Sequence, residues 1–388
     1  MLAATKGGRP VIRDPNAIPP DARAVLTINL DALRSNWRAL DRASGTAECA
    51  GVIKADAYGL GIGEIAQALV DEGCRTIFVA TLTEARTVRL AHPGVTIYVL
   101  DGLLPGAAAH YAGFDLRPCL SSLAEVREWA AWCDAVGRRL PAALHLDTGM
   151  SRLGLSAAEL DTVAGPEREL LGRFDLTLVM SHLACADLPA HPMNAEQLAR
   201  FEAARRALPA APASLANSGG VFLGPAYHFD LVRPGIALYG GRAFEGEANP
   251  MQWVVRLQAR ILQVRSVPSG AAIGYGASFR MPRDGRIATL ACGYADGFLR
   301  ALSGPTGRPG PVGFLGDHPV PVVGRVSMDL ITVDVTDVPE RLAVRGSWVE
   351  VLGARTTIDD LTDRAGTIGY ELLTRLGRRV HRVYQSTT

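Results

Sequence analysis

The stretch CAGVIKADAYGLGIGEIAQALVDEGCRTIFVA, residues 49–80, decides the fold. A short apolar run leads into a glycine-rich turn, an amphipathic stretch and a second apolar run, which is the order of a parallel β/α unit. Outward from it the order recurs. Apolar runs fall at CAGVIKA (49–55), TIFVA (76–80), VTIYVL (95–100), LRPCL (116–120), AALHLD (142–147), FDLTLVMSH (174–182), ASLAN (213–217) and HFDLV (228–232). Helical patterns such as SLAEVREWAAWCDAVG (122–137) and AEQLARFEAARRAL (195–208) lie between them. Eight units over about 200 residues suggest a closed (β/α)8 TIM barrel, although an open doubly wound sheet shares the alternation and periodicity does not separate the two.

After about residue 255 the texture becomes β-rich with glycine and proline turns, in ARILQVRSV (259–267), RIATLACGY (286–294), HPVPVVGRVSMDLITVDV (318–335) and WVEVLG (348–353). The expected division is an N-terminal arm over residues 1–23, a barrel over 24–254 and a mostly β C-terminal domain over 255–388. Forty basic residues against 39 acidic leave a net charge of +1, so there is no electrostatic footprint for nucleic acid or an acidic membrane. Six cysteines, far apart and without a C-x-x-C pair or a metal-type cluster with histidine, read as thiols of a reducing compartment. The first residues show no signal-peptide pattern and no stretch approaches the ~20 apolar residues of a membrane span, so a cytoplasmic protein is expected.

In a barrel the chemistry sits where strands end, and those positions are polar here: Lys54, Arg152, His182, Asn217, Ser218 and Arg233. One cation at a strand end is ordinarily a solvated rim residue, whereas several on one mouth describe an anionic ligand. Lys54, between an apolar strand and a glycine-rich loop, is placed for burial to lower its pKa, giving an amine able to condense with an aldehyde. From position alone it reads first as a snorkelling lysine, and the surrounding motif reverses that. The small residues of ANSGG (216–220) and RPGIALYG (233–240) let backbone amides and a hydroxyl approach a phosphate where barrels commonly bind one, though such turns also occur without any ligand. Tyr275, between two glycines in IGYGASF (273–279), reads as a ligand-facing side chain or as a simple turn tyrosine.

Taken together, VIKADAYGLG (52–61), HLDTGMSRLG (145–154), SHLACAD (181–187), ANSGG, DLVRPGIALYG (230–240), IGYGASF, ACGYADG (291–297), GRVSMDLITVDV (324–335) and TIGYELLTRLGRRVHRVY (367–384) resemble the alanine racemase family in order and spacing, over about residues 24–385. The resemblance implies a barrel that binds pyridoxal 5'-phosphate, a C-terminal β domain, interconversion of L- and D-alanine, and a homodimer whose two active sites each draw on both subunits. It implies that Lys54 holds the cofactor covalently and is one catalytic base, with Tyr275 of the partner chain the opposite one. Tyr58, Ser218, Gly235, Ile236 and Tyr370 match phosphate contacts, beside Asn217, and Arg233 matches the arginine facing the pyridine nitrogen. Arg152 and the Met328 backbone match contacts to the substrate carboxylate. His182 matches a histidine near the tyrosine base, and Tyr294 and Asp329 match residues of the site entrance.

The chemistry explains these residue types. The cofactor makes the Cα proton removable, so the protein supplies geometry and one base on each face, each worth ~10² to 10⁴ in rate. Ionising a tyrosine at neutral pH costs about 4 kcal/mol unless the site stabilises the phenolate, a role for His182 and Arg152. Arg233 opposite the ring nitrogen disfavours ring protonation and so restrains side reactions. One position departs from the family, which often has a carbamylated lysine where this chain has His145; a small anion or a water between His145 and Arg152 is the expected substitute. A decarboxylase of the same barrel type and a non-catalytic cofactor carrier are the competing readings.

Overall fold

A computed structural model describes residues 18–246, 248–308 and 310–386. The chain forms two compact units, one of Leu30–Val254 with Thr357–Leu376, the other of the described residues before Leu30 with Val255–Thr356 and those from Gly377 on.

In the first unit seven parallel strands lie side by side in chain order: Gly51–Val52, Thr76–Val79, Thr96–Val99, Arg117–Leu120, Pro141–His145, Asp175–Met180 and Ala213–Ser214. An eighth, Leu231–Val232, pairs in parallel with Glu48–Cys49, the segment that runs into the first strand. The Ala50 and Val52 amides donate to the carbonyls of Val232 and Pro234 at 3.0 and 3.1 Å. On the other side the Asp230 and Arg233 amides donate to Ala213 and Ala216 at 3.0 and 2.9 Å. The ring is therefore hydrogen-bonded all the way round, which excludes the open sheet and gives a (β/α)8 barrel.

The sequence explains why. Thr76–Val79 buries all its residues, because one face meets the barrel interior and the other the helices. The helix Leu30–Ala43 buries Leu33, Trp37 and Leu40 along one stripe. Leu82–Ala91 and Ala157–Ala164 open with reciprocal capping boxes, Thr81 with Glu84 and Ser156 with Glu159, which fix where each helix begins. Since all eight strands run the same way, the loops that follow them gather at one rim.

The second unit is built on Val255–Val267, a long strand antiparallel to Ala24–Asn29, Gly285–Leu290 and Trp348–Leu352. Ala24–Asn29 pairs on its other edge, in parallel, with His381–Gln385. The observed units differ from the expected ranges at two places. Residues 24–29 lie in this sheet, since both edges of the strand are satisfied by partners more than two hundred residues away. The helices Ile358–Ala365 and Gly369–Thr374 belong to the barrel unit, where Asp359 accepts the Arg242 amide at 2.9 Å and the Asn249 side chain at 2.9 Å. Of the expected arm, residues 1–17 lie outside the described residues, while Arg23 donates to the Asp329 carbonyl at 3.0 Å within the β unit. Among the described residues no helix is long and apolar enough to cross a membrane.

Candidate active site

Lys54 stands two residues beyond the first strand and opens a turn with an uncommon backbone. Ala55, Asp56, Ala57 and Tyr58 all have positive φ, between 52° and 58°, a left-handed helical turn made without glycine. Each such residue costs about 1–2 kcal/mol, so the turn persists only because its surroundings fix it. The Asp56 carboxylate accepts the Ile62 amide at 2.9 Å, the Asp56 amide donates to Glu84 at 3.1 Å, and Gly61 donates to the Asp56 carbonyl at 3.0 Å. Tyr58 is buried with its ring 4.6 Å from that of Tyr239 and 5.7 Å from that of Tyr370. Burial, helped by the positive charge of Arg152, holds the Lys54 amine below its ordinary pKa and so favours the neutral, nucleophilic form.

Around Lys54 the barrel mouth gathers basic groups. Arg233 is buried, and its guanidinium donates to the Ser214 hydroxyl and to the Ser181 carbonyl at 2.5 Å, lies 3.4 Å from His182 Nδ1, and sits over the Phe78 ring. Burial among these neutral partners pushes its pKa down to about 10, which still leaves it charged at neutral pH. Burial and then Arg233 hold His182 well below its usual value. His145, at the end of the fifth strand with its Nδ1 3.4 Å from the Ser121 hydroxyl, is lowered to about 4 by burial, Arg233 and Arg152. Both imidazoles are thus neutral at pH 7, and the fixed positive charge comes from the arginines. Arg152 lies exposed on a tight turn, in which the Asp147 carboxylate accepts the Gly149 and Ser151 amides at 2.9 and 3.1 Å.

After the seventh and eighth strands two turns form a cradle. Asn217 caps Ser218–Phe222 by accepting the Gly220 amide, and the buried Ser218 hydroxyl accepts the amides of Gly235 at 2.8 Å and Ala237 at 3.4 Å. A Cβ on Gly235 would run into the Tyr58 hydroxyl, and one on Gly219 would come within 2.5 Å of the Ala186 carbonyl oxygen. Both positions exclude a side chain because neighbouring protein atoms already stand there. Ile236 is buried behind the cradle, and Tyr370 stands half-exposed at its edge. Lys54, Tyr58, Asn217, Ser218, Arg233, Gly235, Ile236, His182, Arg152 and Tyr370 therefore all belong to the barrel unit.

The remaining candidates lie in the β unit. The amides of Tyr294 and Ala295 donate to the carbonyls of Ser327 and Met328 at 3.0 and 2.9 Å, which holds two turns together. Arg379 joins them by reaching Asp296 at 3.1 Å and Asp329 at 2.7 Å. Tyr275, 72% exposed, and Ser327 line one surface cavity of about 430 Å³ together with Arg325 and Thr289. Met328 beside it is 54% exposed. The structure also shows residues that sequence reading passed over: Tyr239 and Phe78, which carry ring contacts, Ser214, which receives Arg233, and Thr148 with Ser181, which stand inside quoted motifs without having been singled out.

A closed barrel whose mouth combines a lysine amine and fixed cations with two small-residue turns suits an enzyme that works on a small anionic ligand. Family models described as "Alanine racemase, N-terminal domain" and "Alanine racemase, C-terminal domain" match residues 28–243 and 254–384. An alanine racemase of Methylobacterium nodulans is 50% identical over 93% of this chain and 96% of that protein, and one of Rhizobium meliloti is 51% identical over 94% and 97%. The crystal structure of alanine racemase from Bartonella henselae with covalently bound pyridoxal phosphate superposes with a TM-score of 0.88 at 38% identity, over 94% of this chain and all of that one. The chain belongs to the alanine racemase family.

Proposed function

We propose that this protein interconverts L- and D-alanine with pyridoxal 5'-phosphate held covalently on Lys54. The observation that carries the reading is the Lys54 amine, depressed in pKa beside Arg152 and set in the same unit as the Ser218–Gly235 cradle. The residues fit the cofactor. Gly235 leaves room for the Tyr58 hydroxyl that any side chain would fill, and the Ser218 hydroxyl, which accepts the Gly235 and Ala237 amides, keeps its own proton to donate to a phosphate oxygen. Arg233, whose hydrogen-bond partners among the described residues are neutral, is the cation for the ring nitrogen. When bound, the cofactor delocalises the charge left at Cα as its proton departs.

The chain's own groups do the rest. Lys54 takes or returns the Cα proton on one face, and Tyr275 does so on the other. Arg152 and the Met328 backbone hold the substrate carboxylate, His182 supports the tyrosine base, and Tyr294 and Asp329 shape the entrance. Tyr275 comes from a second copy of the chain in a homodimer, a role its 72% exposure leaves it free to fill. A small anion or water stands between the neutral His145 and Arg152; apparent affinity for alanine that follows chloride concentration at constant ionic strength tests that assignment. The cytoplasm is the compartment that suits six cysteines, all unpaired.

The enzyme is tested by incubating the purified chain, loaded with cofactor, with L-alanine and following D-alanine by chiral chromatography. Approach to an equal mixture from either enantiomer is the expected outcome; release of carbon dioxide, or no change, refutes it.

A further inference from the structure

We infer that Gln197 is a positioning residue for this racemisation, fixing the turn that carries Arg152 and the segment that carries His182 in one register through a directed chain of hydrogen bonds. The inference rests on the reading of Arg152 as the carboxylate-binding residue.

Gln197 lies on the helix Met193–Arg206 and is fully buried. The buried stripe of that helix is Asn194, Gln197 and Phe201, so amides occupy core positions where an apolar side chain would pack at lower cost. Every polar atom of Gln197 is used. Its Nε2 donates to the His182 carbonyl at 2.9 Å and to the Thr148 hydroxyl at 3.1 Å, and its Oε1 accepts the Ala184 amide at 2.8 Å. The Thr148 hydroxyl lies 2.7 Å from that of Ser181, which lies 2.8 Å from the Leu146 carbonyl.

The proton directions follow from the donor inventory. A carbonyl only accepts, so Ser181 donates to Leu146; its one proton spent, Ser181 accepts from Thr148, and Thr148 in turn accepts from Gln197. The Ala184 N–H independently requires an oxygen at the other end of the amide, so both ends set the same orientation. The chain spans the pieces that need to agree. Thr148 belongs to the Asp147–Arg152 turn, His182 and Ala184 follow the sixth strand, and the Ser181 carbonyl receives Arg233. Arg200, one turn along the same helix, donates to the Thr148 carbonyl at 3.1 Å and secures that turn a second time. Gln197 reaches these groups from outside the mouth, by holding the backbone that presents them.

Such a role moves substrate affinity before it moves chemistry at Lys54, because a small displacement of Arg152 weakens the grip on the carboxylate while leaving the amine in place. The test compares cofactor-loaded wild type with Thr148→Val, Thr148→Ser, Gln197→Glu and Gln197→Met, measuring kcat and KM for both enantiomers, bound cofactor by visible absorbance and melting temperature. Thr148→Val, which keeps the shape and removes the relay, is expected to raise KM about tenfold with kcat changed less than about threefold, the size of one lost charge-free hydrogen bond or slightly more. Thr148→Ser restores the wild-type KM. Gln197→Glu, which keeps the shape but removes the donors to His182 and Thr148, raises KM at least as much as Thr148→Val, and Gln197→Met does so if it retains cofactor. Wild-type KM in Thr148→Val and Gln197→Glu, or a fall in kcat that tracks melting temperature with KM unchanged, overturns the positioning role alone. A wild type that does not racemise alanine overturns the proposed function, and this role with it.

Discussion

The proposed racemisation asks Lys54 and Tyr275 for the same task on opposite faces of one carbon, yet they stand in different surroundings: the amine half-buried among cations, the phenol open on the β unit. Removing either should therefore have a distinct signature. Lys54→Ala is expected to leave no cofactor that survives dialysis, checked by the visible absorbance of the purified protein. Tyr275→Phe keeps the cofactor and Lys54, so in heavy water deuterium exchange into D-alanine should largely survive while conversion to L-alanine collapses; equal loss of both contradicts the assignment. His145 gives a third test. Its ring is held at about 4 against an ordinary 6.5, so between those values the unfolded chain takes up a proton that the folded ring refuses. Stability due to this group is intact above pH 6.5 and falls as pH drops, by about 3 kcal/mol near pH 4. His145→Gln should lose correspondingly less than wild type between pH 7 and 4 in urea unfolding, with His182 contributing the same trend to both. Lys54, Arg152 and Arg233 were legible because several cations at strand ends have no packing explanation. Gln197 was not, because a polar residue in a charged helix such as AEQLARFEAARRAL looks solvated until the fold turns it inward.

Among the elements, the left-handed turn Ala55–Tyr58 departs furthest from what its sequence suggests. Alanine and tyrosine carry no signal for positive φ, so no local rule anticipates it, and only the bonds made by Asp56 and the ring packing of Tyr58 account for it. Gly235 is its counterpart across the cradle. A Cβ there would meet the Tyr58 hydroxyl, so space constrains the position. Gly235→Ala is expected to cost about 1–3 kcal/mol through the clash with the Tyr58 hydroxyl and to weaken cofactor retention. Adding Tyr58→Phe removes the clashing oxygen, so the double variant should recover part of the lost stability in thermal unfolding. Equal losses in the single and double variants would place the strain elsewhere. The eight apolar runs were readable as strands because each is bounded by turn residues, although several shrink to two paired residues in the structure.

At the scale of the molecule, local periodicity could not assign Ala24–Asn29 to the β sheet, since its partners Val255–Val267 and His381–Gln385 are distant in sequence. Closure of the barrel was likewise undecided until the bonds of Ala50 and Arg233 joined the first and eighth strands to their neighbours. A racemase whose two bases come from two copies of the chain should regain activity when two inactive variants are mixed. Lys54→Ala and Tyr275→Phe chains, unfolded together and reassembled with cofactor, should form hybrids with one site holding both bases and one holding neither. With random pairing half the dimers are hybrids, so recovery approaches about a quarter of wild-type activity. Hybrids shown to have formed, with activity no greater than that of the two parents, would place both bases on one chain and contradict the claim.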